Sequence, residues 1–353
     1  MKLYNRELEQ IENEERRKRI QALAEREILF LVENYRIDEV SLRKKLEKLA
    51  IVEREGKSYF VEYNGKKQEI TRGDFSSIAS FVTHKNQIYD GNKWSFEIAV
   101  YTNDNNDNHT IKHELFHFFS KNQEMNFNEN NLGYDKTGTC IIGYDREDRI
   151  VDESMQAEGL NEGITEFLAN QIDEISTPGV YCPQVYLASI LINSQDNSLI
   201  NAYFSDDSKK FKEFLNDFDK RQSVVSSDKL VSLARKGQEV DIQLLKGCLE
   251  YSLSFCHNIE QLKFERQRLL PIFKSMYSNL NLEYSDEKFD IVSFFKDTFS
   301  EKRKNIESKS TQELGNETLS IQSETTYIDE TERKINQEEK NCKIKTKMYK
   351  NER

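Results

Sequence analysis

The residues of this chain best suited to chemistry are two histidines four apart with a glutamate between them: His113-Glu114-Leu115-Phe116-His117. On an α-helix each residue turns by about 100°, so positions four apart lie on one face. His113 and His117 can therefore share one cation through their imidazole nitrogens, and the spacing H-E-x-x-H is that of a zinc-binding helix. Glu114 sits about a quarter-turn away, placed to hold a reacting water without ligating the metal. Ile111, Leu115, Phe118 and Phe119 fall on the opposite arc, the side that packs on a core. Asn108, after the polar run Asn103 to Asp107, reads as the N-cap. Three fixed positions can coincide by accident on a solvated helix. Here three of the five histidines, His109, His113 and His117, lie within nine residues, and that favours a metal site. His109, one turn before His113 on nearly the same side, reads as a surface residue at the helix start, with lining of the cleft as the alternative.

Two imidazoles leave a site incomplete, so a third ligand must come from elsewhere in the chain. Three completions of the pattern are known. The metzincin one needs Gly at 120 and His or Asp at 123, where this chain has Ser120 and Gln123. The peptide deformylase one takes a cysteine before the helix, and no cysteine precedes Cys140. The third takes a glutamate on a second helix with a carboxylate four residues later, and Asn161-Glu162-Gly163-Ile164-Thr165-Glu166 fits it. Glu162 and Glu166 share a helix face, with Ile164, Phe167 and Leu168 pointing to the core. Glu162 then ligates the metal, Glu166 accepts the remaining N–H of His113, and Asn161 does the same for His117. Taken alone, the two glutamates would read as an ordinary acidic helix start.

His113-Glu-x-x-His117 followed by Asn161-Glu-x-x-x-Glu166 resembles the gluzincin class of zinc metallopeptidases, of which thermolysin is the familiar member. The run Gly159-Leu-Asn-Glu-Gly-Ile-Thr-Glu166 also resembles predicted peptidases of low-GC bacteria. The likeness covers roughly residues 85 to 205; the motifs stand further apart than in thermolysin, and the acid behind His113 is Glu where thermolysin has Asp. It implies one Zn2+ per chain, a zincin-like α+β fold and a peptide or protein substrate. Zinc would lower the pKa of water toward about 7, with Glu114 as general base, passing the proton on to the leaving amine. Gluzincins often add a Tyr or His that stabilises the oxyanion; Tyr134, Tyr144, Tyr181, Tyr203 and His257 are the residues available for that role. Two rival readings are a zincin-fold binding or regulatory module without turnover and a toxin-like exported protease. Loss of a ligand or of Glu114 would mark the first, and neither is lost.

The 353 residues carry a net charge of −11, which leaves no excess of Lys and Arg to neutralise phosphates and argues against nucleic acid as a partner. The longest early apolar run, Ile28 to Val32, is too short for a signal peptide, and no stretch approaches the roughly 18 apolar residues of a membrane span. The five cysteines form no C-x-x-C pair, so neither a disulfide framework nor a cysteine metal site is expected. A cytoplasmic, membrane-free protein with reduced thiols is the expectation.

The elements that must position these side chains divide into three stretches. Residues 1–50 read as charged helices, 4–34 and Val40 to Leu49, that cover the core. Residues 51–300 read as the catalytic domain. Its first part, 51–101, is β-rich, with a hairpin turning at Asn64-Gly65 and a strand from Ser95 to Tyr101 whose edge could hold an extended peptide. The active-site helices follow at 109–121 and 160–175, separated by a second hairpin over Gly133 to Tyr144 and an acidic loop over Asp145 to Glu158. From 183 to 300 the periodicity is helical. Residues 301–353 lose apolar periodicity and read as a disordered polar tail.

Overall fold

The computed structural model of the protein describes residues 2–4, 14–47, 49–53, 59–63, 66–70, 80–82, 88–89, 94–95, 99–102, 108–124, 133–144, 150–175, 181–192, 196–207, 209–234, 240–279 and 291–313. Residues 1–299 form one compact unit and residues 300–353 a second. The architecture is α+β.

The chain opens with β1 (Lys2–Tyr4), α1 (Glu14–Tyr35), α2 (Glu39–Glu47) and β2 (Ala50–Glu53). Strands β3 (Tyr59–Tyr63) and β4 (Lys66–Ile70) then pair antiparallel, Tyr63 opposite Lys66; the expected turn residues Asn64 and Gly65 lie outside the described residues. β5 (Ser80–Val82), the short pair β6 (Ile88–Tyr89) and β7 (Trp94–Ser95), and β8 (Ala99–Thr102) follow. One sheet has the order β1-β2-β8-β5, parallel from β1 through β8, with β5 antiparallel on β8. β1 pairs within this sheet, and the N-terminal helices belong to the same unit as the site. The strand Lys2–Tyr4 was not foreseen and overlaps the stretch read as helix, 4–34, only at Tyr4; three residues are too few to show a period.

α1 buries Ile20, Leu23, Ala24, Ile28 and Leu31 along one stripe, the spacing expected of a helix laid on a core. It lies against α3 (Asn108–Ser120): the Phe30 ring meets Phe116 edge-on at 6.3 Å, and Arg19 donates to Asn108 Oδ1. The same stripe holds Glu27, which is fully buried, with no hydrogen-bond partner for either carboxylate oxygen among the described residues. Burial pushes its pKa well above the usual carboxylate range, against the opposing pull of Lys112. From α2, Lys45 donates to the carbonyl of Phe119 at the far end of α3.

α3 runs straight into β9 (Lys121–Glu124), followed by β10 (Gly133–Thr137), β11 (Cys140–Tyr144) and β12 (Ile150–Gln156). These four make an antiparallel sheet of order β12-β11-β10-β9. The hairpin expected over 133–144 is β10–β11, with Thr137 opposite Cys140. Asp145 to Glu158 is not simply a loop, since β12 occupies Ile150–Gln156. Its alternation is spoiled by adjacent Ile150 and Val151, and pairing with β11 decides its conformation.

α4 (Glu158–Ile172) carries the second motif, and α5 (Cys182–Leu191) packs across it. Gly163 makes that approach possible: a β-carbon there would lie 2.5 Å from the Gln184 carbonyl oxygen. α6 (Ser198–Phe204), α7 (Lys209–Arg221), α8 (Asp228–Val231), α9 (Ile242–Ser254) and α10 (Ile259–Asn279) complete the helical part. Phe211, Phe214, Phe218 and Tyr251 fill its core, and Arg268 of α10 donates to the carbonyls of Ser189, Ile190 and Ile192 where α5 ends. α11 (Ile291–Glu313) crosses the boundary at 299, so residues 301–313 are helical where a disordered tail was expected. Residues 314–353 lie outside the described ones.

Candidate metal centre

From Ile111 to Ser120 α3 is buried all round, His113, Glu114 and His117 as well as the core face of Ile111, Leu115, Phe118 and Phe119. The two imidazoles stand edge to face, with centroids 4.9 Å apart. From α4, Glu162 reaches between them: its Oε2 is 3.2 Å from His113 Nε2 and 3.6 Å from His117 Nε2. One ligand atom from each of His113, His117 and Glu162 lies within 4.8 Å of the others, and this buried trio could hold a metal ion. Ligand atoms about 2.0–2.1 Å from a tetrahedral ion stand roughly 3.3 Å apart, and the observed spacings bracket that value. The donor set and its spacing fit a bound cation.

The groups around His113 are arranged for positive charge. Its Nδ1 is 2.9 Å from Glu166 Oε2 while its Nε2 faces Glu162. Burial lowers the pKa of this imidazole, but hydrogen bonds with Glu162 and Glu166 and the charge of Glu114 outweigh burial and push it up to about 10. Burial raises the Glu162 carboxyl in turn, and the charge of His117 with the hydrogen bonds of both histidines pulls it well below the usual range. Without a metal, a proton on His113 thus compensates the carboxylates.

Glu166 is held from behind. Its Oε1 is 3.1 Å from His109 Nε2, and His109 Nδ1 is 2.7 Å from Asp173 Oδ2, just past α4. Asp173 also pairs with the buried Lys112. An imidazole between two carboxylates is best satisfied doubly protonated, and the hydrogen bond to Glu166 leads the causes that raise its pKa. His109 is therefore no surface residue. Charges alternate along Lys112, Asp173, His109 and Glu166 up to His113.

On the other histidine the arrangement differs from expectation. Asn161 Oδ1 accepts the backbone N–H of Thr139 at 3.0 Å, so the amide turns its Nδ2 toward His117 Nδ1, 3.3 Å away. The geometry departs from the expected acceptor role of Asn161, because its oxygen is turned to Thr139 and its amide nitrogen to the imidazole. Thr165 Oγ1 lies equally near His117 Nδ1, at 3.3 Å, and Tyr203 Oη lies 2.6 Å behind Thr165. The β10–β11 turn closes over this group at Gly138, whose φ is +60° and where a β-carbon would collide with Asn161 Oδ1 and the Tyr203 ring. No larger residue fits there.

Of the five residues weighed for the oxyanion, Tyr181 is at the site. It precedes α5 with φ of 51° and stacks on the His113 ring at 5.9 Å between centroids. Tyr203 is fully buried behind Thr165 rather than in a cleft, and burial raises its pKa. His257 is exposed between α9 and α10 and makes no hydrogen bond, ion pair or ring contact with a site residue among the described ones. Tyr134 and Tyr144 lie in β10 and β11, with side chains outside the described residues.

The sequence reading missed Thr165, Asp173 and Lys112. Thr165 stands four residues after Asn161 and so on the same face, a signal that was there to be read. Asp173 and Lys112 join the site only through tertiary packing.

The chain matches no protein-family model, and comparison with curated proteins and with solved structures found no match.

Proposed function

We propose that the protein is a zinc-dependent metallopeptidase on the gluzincin plan, with a zincin-like fold. The observation that carries this reading is the convergence of His113, His117 and Glu162 from α3 and α4 within 4.8 Å. Two imidazoles and one carboxylate suit zinc and leave a coordination position for water or substrate. The buried Glu114 adjoins His113, the neighbour relation that H-E-x-x-H peptidases use.

His113, His117 and Glu162 would hold the ion. A bound zinc ion supplies a Lewis acid that polarises the scissile carbonyl and acidifies water. Glu114 accepts the proton from the attacking water and returns it to the departing amine, one carboxylate serving as base and then acid. Glu166 fixes His113 by accepting at Nδ1, which leaves Nε2 for the ion. Tyr181, stacked on His113, forms part of the wall against which a substrate would lie.

The test is metal analysis of the purified full-length chain with cleavage of a peptide library, beside a Glu114→Gln control. About one zinc per chain is expected in both proteins. Cleavage should fall by about 10²–10⁴ in the variant. Zinc retention without cleavage by wild type would leave a metal-holding binding module and end the peptidase reading; no bound metal would end both.

A further inference from the structure

The hydrogen bonds of Thr165 and Asn161 beside His117 favour one assignment when a metal is to be held. A carbonyl only accepts, so the Thr165 hydroxyl spends its single proton on the Asn161 carbonyl at 2.8 Å. Its oxygen can then only accept from its remaining neighbours. Tyr203 Oη, 2.6 Å away, is therefore the donor in that pair. The second lone pair faces His117 Nδ1 at 3.3 Å and suits an Nδ1–H. Asn161 cannot serve there, because the Thr139 N–H fixes its oxygen on the other side and leaves an NH2 toward the imidazole. If Asn161 governed His117, Nδ1 would be the acceptor and the proton would sit on Nε2, the atom that faces Glu162 and must hold the ion.

From this we infer that Thr165, supported by Tyr203, is the positioning residue that keeps the proton of His117 on Nδ1 and its Nε2 lone pair directed at the point shared with His113 and Glu162. The inference rests on the proposed metal site. It assigns Tyr203 a place behind the ligand and removes it from those available to contact substrate. Each ligand histidine then has its own acceptor, a carboxylate for His113 and a neutral hydroxyl for His117. The second adds no negative charge to a pocket that already holds Glu114, Glu162 and Glu166.

The test measures zinc affinity of the full-length chain by chelator competition for wild type, Thr165→Val, Thr165→Ser, Tyr203→Phe and Asn161→Ala. Proton exchange at the His117 Nδ1–H of the zinc-loaded protein is followed by 15N-edited NMR. Valine keeps the shape and lacks the acceptor, so affinity should fall about 10–100-fold and the Nδ1–H should exchange faster. Serine should restore both, and Tyr203→Phe should weaken binding by a smaller factor. The thermal midpoint of each metal-free variant separates loss of fold from loss of affinity, and the serine variant decides the matter should valine unfold the chain. Normal zinc affinity in Thr165→Val, or a loss confined to Asn161→Ala, overturns the inference and leaves the metal site standing. A wild type that binds no zinc overturns both.

Discussion

Arg268 and His113 are both held inside residues 1–299, and each is surrounded by polar groups. Around Arg268 every hydrogen bond closes within the protein. Its guanidinium forks onto both oxygens of the fully buried Glu265, onto Ser252, and onto the three carbonyls at the end of α5. A rigid planar fork matched to carboxylate and carbonyl oxygens is what Arg provides and Lys does not. Around His113 the bonds do not close in the same way. Three atoms able to donate lone pairs, from His113, His117 and Glu162, face one another across 3.2 and 3.6 Å, and two further glutamates, Glu114 and Glu166, accompany them. The first cluster is a finished joint between helices. The second is balanced only by an added positive charge, a proton or a metal ion, and that separates a site from a structural polar core.

The largest expected effect tests the second cluster directly. Glu162→Gln should abolish stoichiometric zinc binding, since a carboxamide is a weak neutral ligand; normal zinc content in that variant would mean that another acid completes the site. Arg268→Ala tests the first. It leaves Glu265 buried and without its charge partner, so unfolding free energy should fall by about 3–5 kcal/mol, measured by denaturant titration. The zinc affinity of the folded variant should match wild type. If it drops as well, the two clusters are coupled and the contrast between them collapses.

A smaller effect is expected behind the site. Glu166→Gln and His109→Asn should each weaken zinc binding by about 10–100-fold, with the His109 variant the milder because it acts through Glu166. Equal zinc affinity in wild type and His109→Asn would show that the clamp on Glu166 is ornamental.

The smallest effect concerns Glu27, which belongs to neither cluster. Its pKa is raised in the folded state, so folding retains a proton that the unfolded chain releases above about pH 4.3. Stability from that proton is present in full at low pH and lost as pH rises toward the raised value. Glu27→Gln should thus leave the midpoint unchanged near about pH 4 and raise stability by on the order of 1 kcal/mol near neutrality. A gain independent of pH would show that the side chain is not held protonated.

What the sequence disclosed follows the range of the interactions involved. The pairing of His113 with His117, and of Glu162 with Glu166, is set by helical period alone and was legible. So were the antiparallel pairings of β3 with β4 and of β10 with β11, each joining strands close in the chain. Strand β12 was hidden because adjacent Ile150 and Val151, followed by adjacent Asp152 and Glu153, break its alternation, and it pairs with β11. The contacts of His109 with Glu166 and Asp173 bridge 57 and 64 residues, and no local pattern announces them. Asn161 was given the wrong duty because the amide facing His117 is oriented by Thr139, a turn residue that carries no chemistry of its own.

The absence of any linker between α3 and β9 has a mechanical consequence. The helix ends at Ser120 and the strand begins at Lys121, with Lys121 opposite Thr137. Rotation of the helix about its axis is thereby geared to the register of a sheet. One inserted or deleted residue between His117 and Lys121 would either turn the histidines by about 100° or invert every side chain of β9. The aim of the two imidazoles is in effect measured out along a strand, and chain length in this short span is as constrained as the identity of the histidines themselves.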